Sequence, residues 1–135
     1  MKKIIALFAF VLIAGAVSAQ ESTEQTGAEI VFAETLHDFG DITQGDKVTH
    51  VFAFENTGTE PLVLNNVLTT CGCTAPSWPR DPIAPGESGE ITVTFNSRGK
   101  IGMQNKIITV VSNAVNNQER VNIRANVLPG NNEGN

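Results

Sequence analysis

Apolar side chains recur at every second position through much of this chain. Val48, His50, Phe52 and Phe54 alternate with Lys47, Thr49, Val51, Ala53 and Glu55. Ile91, Val93 and Phe95 alternate with Thr92 and Thr94, and Val121, Ile123, Ala125 and Val127 alternate with Asn122, Arg124 and Asn126. A period of two marks strands with one face on a core. Residues 107–111 are apolar at nearly every position, which suits a central strand. Turn-forming clusters punctuate these runs at Gly40-Asp41, Gln44-Gly45-Asp46, Asn56-Thr57-Gly58, Pro85-Gly86 and Asn116-Asn117. The pattern predicts strands near 30–34, 47–56, 61–69, 89–96, 104–112 and 120–128, and a short one near 73–77. No amphipathic helix lies between them. Such spacing implies an all-β fold, an antiparallel sandwich of about seven strands. The same alternation predicts burial of Phe39, Phe52, Phe54, Leu64, Ile91, Val93, Phe95, Val110, Ile123 and Ala125.

The N-terminus follows another rule. Lys2 and Lys3 precede an unbroken run of apolar and small residues from Ile4 to Val17, and Val17-Ser18-Ala19 has the small-x-small form read by signal peptidase. The run is about fourteen residues, short of the ~20 that span a bilayer. A signal peptide over 1–19 is expected, helical at about 3–18, with Gln20 first in the mature chain. That predicts export to the periplasm or beyond. No other segment is apolar enough to enter a membrane, so no membrane insertion is expected after cleavage. Residues 20–28 are polar and read as a flexible leader, and 129–135 (PGNNEGN) as a disordered tail. One domain remains, over 29–128.

Charge narrows the partners. The 135 residues hold 9 Lys and Arg against 14 Asp and Glu, a formal charge of −5, and loss of Lys2 and Lys3 makes the chain more acidic still. Scattered basic residues on an acidic domain give no footprint for nucleic acid.

Candidate chemistry is sparse. His37-Asp38-Phe39-Gly40 contains the kinase magnesium tripeptide, but no glycine-rich phosphate loop or His-Arg-Asp accompanies it. It reads instead as a turn between the first two strands, with Phe39 plugging the core and Asp38 bonding nearby amides. No nucleophile elbow, zinc-protease motif or P-loop occurs, so no catalytic residues are assigned and the chain is not read as an enzyme. Trp78, in Ser77-Trp78-Pro79-Arg80-Asp81-Pro82, is either a cap over the open end of the sandwich or an anchor for a partner. Cys71-Gly72-Cys73 holds both cysteines and admits three readings. One is a tight local disulfide at the end of the third main strand, allowed by an oxidising compartment. Another is a soft-metal site, copper above all, with His37, His50 and Met103 completing the ligands. The last is a buried reduced pair.

Several segments together resemble a family. They are Leu36-His37-Asp38-Phe39-Gly40-Asp41-Ile42, then Phe52 to Gly58, Thr70-Cys71-Gly72-Cys73-Thr74, Pro82 to Gly89, Val93-Thr94-Phe95, Gly102 and Ser112-Asn113. Their order is similar to that of the bacterial exported family DUF1573, from about Phe32 to Val127. The resemblance implies an immunoglobulin-like β-sandwich, akin to the major sperm protein and cilium-associated domains. It implies no activity. The functional expectation is a non-enzymatic binding or structural module of the cell envelope, using no cofactor and contacting a protein partner. The competing expectation is a copper-binding or thiol-redox protein centred on Cys71 and Cys73.

Overall fold

The computed structural model describes residues 26–130. The expected helix at 3–18, the cleavage point and residues 20–25 and 131–135 lie outside the described residues.

Eight strands form two sheets: β1 (Ile30–Phe32), β2 (Leu36–Thr43), β3 (Lys47–Asn56), β4 (Leu64–Thr69), β5 (Thr74–Ser77), β6 (Ser88–Asn96), β7 (Gly102–Ser112) and β8 (Gln118–Leu128). The first sheet has the order β1-β3-β6-β5 and the second β2-β8-β7-β4. Their inner faces share one core, with Phe52, Phe54, Phe95, Ile91, Ile108 and Ile123 almost wholly buried. Burial alternates along β3, β6 and β8 as the period of two requires. Each of these strands presents its apolar row inward, and a slip of one residue would turn that row to solvent.

Three expectations need correction. The sandwich is not purely antiparallel, because β2 pairs with β8 in parallel. The chain leaves the first sheet after β1, crosses through residues 33–35 and enters the second sheet as β2. Side-chain alternation fixes which face is buried, not the direction of the neighbouring strand. Second, residues 37–40 form no turn between strands. They lie within β2, whose register shifts between Asp38 and Asp41. Gly40 takes the shift at φ 71°, and the Asp38 carboxylate accepts its N–H at 2.8 Å. At this bulge Phe39 is half-buried, packed on the margin of the core rather than plugging it. Third, the fold reaches back into the stretch read as leader. Ala28 is 1% exposed, and the Thr59 N–H donates to the Gly27 carbonyl at 2.8 Å. Gly58 permits this approach, since a β-carbon there would meet the Gly27 oxygen at 2.2 Å. The other nine residues expected in the core are buried.

Candidate functional site

Where the chain crosses between sheets, three side chains converge. Glu34 comes from the connector, His37 from β2 in one sheet and His50 from β3 in the other. The two imidazoles stack face to face, with centroids 3.5 Å apart and planes within 7°. His50 Nε2 contacts a Glu34 carboxylate oxygen. Phe39 meets the His37 ring edge-on at 4.6 Å, and Phe52 meets the His50 ring edge-on at 4.8 Å. The pair therefore sits in an aromatic frame, with Glu34 on its more exposed side. The side chains of His50 and Glu34 are 20% and 43% exposed. One ligand atom from each of the three residues lies within 4.8 Å of those from the others.

The cysteines are elsewhere. Cys71 and Cys73 are joined as a disulfide, with Cα atoms 5.2 Å apart. The pair occupies the turn between β4 and β5, where the chain again crosses between sheets. The Thr69 hydroxyl donates to the Cys71 carbonyl at 3.1 Å, and the Asn96 N–H donates to the Cys73 carbonyl at 2.9 Å. Cys73 packs on the core. Met103 is 64% exposed on β7, opposite Asn126 of β8. The ligand set imagined around the sulfurs is thus not gathered there. Among the described residues, the metal-ligating side chains that cluster are the two histidines and Glu34.

Trp78 packs against the core cluster and carries the Arg80 guanidinium 3.9 Å above its ring. Its indole N–H is buried without a hydrogen-bond partner among the described residues. With Pro79 it walls an open depression of about 620 Å³ on the outer face of the first sheet, floored by Ala53, Gly89 and Thr92. One ring thus covers core surface and borders a recess.

Sequence reasoning named both histidines but not Glu34. Glu34 lies in a connector three residues before His37, a Glu-x-x-His spacing that points to one site on a helix and carries no such weight in a β chain. The available signal was His50 itself, an imidazole at an inward position between Val48 and Phe52.

Two facing sheets, with β1 in one and β2 in the other, make an all-β fold that resembles immunoglobulin-like and PapD-like domains. The seventh PapD-like domain of human CEP192 has this fold, with a TM-score of 0.61 at 13% identity, over 90% of this chain and 99% of that one. Within that class, the chain belongs to the family described as "Protein of unknown function (DUF1573)", which matches residues 30–127. A Porphyromonas gingivalis W83 protein of unknown function is similar in structure, with a TM-score of 0.62 at 23% identity over 76% of this chain. This chain spans 48% of that protein's length. Part of the secreted serine protease VesC from Vibrio cholerae also shares the fold, with a TM-score of 0.54 at 17% identity over 77% of this chain and 24% of that one. No curated protein matches the sequence.

Proposed function

We propose that this is an exported, non-enzymatic binding module of the bacterial cell envelope, which holds an extended segment of another protein along the open edge of β3. The carrying observation is a mismatch in strand length. β3 has ten residues, and β1 pairs with only the last three, Phe54 to Asn56. The Ala33 N–H extends this contact to the Ala53 carbonyl at 3.0 Å. Main-chain groups of a strand alternate between its two neighbours. Those of Val51 and Thr49 therefore point to the same side as those of Ala53, where no strand of the described residues lies. The β3–β6 register runs without a bulge from Lys47 to Glu55, so this edge is straight.

The other edges are blunted. β5 is four residues long and contains Pro76, β2 is bulged at Gly40, and the β4 register shifts between Leu64 and Asn66. A regular edge with unpaired donors and acceptors suits an added strand, whose main chain supplies affinity while alternate side chains supply selectivity. Lys2-Lys3, the apolar run to Val17 and Val17-Ser18-Ala19 support export.

The test is site-specific photocrosslinking in cells, with the probe at Thr49 or Val51 and a control probe at Asn105 on the other sheet. Crosslinks from positions 49 and 51 to one extended segment, mapped by mass spectrometry, are expected. Val51→Pro should abolish them without unfolding the domain, because an edge strand tolerates proline where its N–H faces outward. Crosslinks from position 105 alone, or products indifferent to Val51→Pro, would overturn the reading.

A further inference from the structure

We propose that Glu34, His37 and His50 form a binding site for one borderline divalent transition ion of the Zn(II) or Cu(II) class. The inference is independent of edge binding and rests on the geometry of the three side chains.

The donor set is two imidazoles and one carboxylate. Imidazole nitrogen suits zinc and copper, whereas magnesium and calcium take oxygen ligands. Zinc bonds imidazole nitrogen and carboxylate oxygen at about 2.0–2.2 Å, so two ligand atoms on a tetrahedral ion stand roughly 3.4 Å apart. The imidazoles stack with centroids 3.5 Å apart, which brings their nitrogens near one another with lone pairs parallel. All three ligand atoms lie within 4.8 Å of one another. Closing that spacing requires the side chains to rotate. The parallel rings must tilt so that their lone pairs converge, and Glu34 is exposed enough to swing with them.

The surroundings restrict the rings. Phe39 and Phe52 set their edges against the imidazoles and limit where each can turn. The cationic groups among the described residues enter no ion pair with Glu34, whose carboxylate meets His50 instead. Three protein ligands leave a further position open to water or to a group brought by a partner.

The site also spans a break in the fold. Its ligands come from the connector, from one sheet and from the other. A bound ion would tie the crossing segment to both sheets at the margin where residues 33–35 pass between them.

The test uses the mature chain without a histidine tag, stripped of metal by a chelator and titrated calorimetrically with Zn(II), Cu(II), Mg(II) and Ca(II). One Zn(II) or one Cu(II) per chain is expected, with copper the tighter, and no uptake of Mg(II) or Ca(II). Electron paramagnetic resonance of the Cu(II) form should show two nitrogen ligands. His37→Ala and His50→Ala should each weaken binding by at least about tenfold and reduce the nitrogen count to one. The double variant Cys71→Ser, Cys73→Ser and the variant Met103→Leu should bind as the parent does. Zn(II) should raise the melting temperature of the parent and leave that of each histidine variant unchanged, and the same melts report whether those variants fold. His50→Gln keeps a polar partner for Glu34 and provides the reading if an alanine variant does not fold. Absence of saturable uptake, uptake unchanged by either histidine substitution, or uptake lost with the cysteines would overturn the proposal.

Discussion

Asn56 shows how a three-residue strand can be held. Its side chain is wholly buried, and its Nδ2 group donates to the carbonyls of Glu60 and Ile83 at 2.7 and 2.9 Å. Its Oδ1 accepts from the N–H groups of Glu29 and Gly58 at 3.2 and 3.0 Å. On the far side of β1, the Asn116 side chain brackets Ile30, accepting its N–H at 3.1 Å and donating to its carbonyl at 2.7 Å. Both asparagines stood out in the sequence as turn residues, but their role as stand-ins for strand partners was not legible, because it depends on residues 27 and 86 positions away. Asn56→Ala should cost about 2–4 kcal/mol in denaturant unfolding, since it removes four hydrogen bonds to buried and part-buried main-chain groups. A loss below about 1 kcal/mol would mean that water reaches them. Phe54→Ala tests apolar burial and should cost about 3–5 kcal/mol. Its ring also lies over Gly89, where a β-carbon would come within 2.5 Å of it.

Element by element, legibility followed burial. β3, β6 and β8 were clear because each buries one face and exposes the other. β2 was not, since only Ile42 along its length is fully buried and the Gly40 bulge interrupts its period. An edge strand that buries little has no hydrophobic rhythm to read. The β4–β5 turn was placed well, because Cys71-Gly72-Cys73 is a local feature. Its disulfide closes so short a loop that chain entropy supplies at most about 1.6 kcal/mol. Replacing both cysteines with serine should therefore lower stability by about that amount plus the loss of Cys73 packing on the core. Thiol counting on protein taken from the envelope without reductant should find no free thiol. Two rapidly alkylated thiols would instead favour a reduced pair in the cell. The histidine cluster was half legible, as each ring was visible in the sequence but their stacking needed two strands from opposite sheets.

On the scale of the whole molecule, the parallel pair has a mechanical consequence. β2 and β8 lie side by side, running from Leu36 opposite Asn122 to Thr43 opposite Leu128. Tension applied near Glu29 and Pro129 draws β2 toward its start and β8 toward its end, so the strands must slide past one another. The ladder is then loaded in shear, and its hydrogen bonds share the force. If the same two strands are gripped at Gln44 and Pro129, where the Gln44 N–H donates to the Leu128 carbonyl at 2.8 Å, they peel apart bond by bond. Single-molecule pulling should therefore give a markedly higher rupture force in the first geometry than in the second. Equal forces would mean that another strand pair, and not this one, bears the load. A domain with this pairing resists extension along its own chain direction, while an opening force across the far end of the same strands meets little opposition.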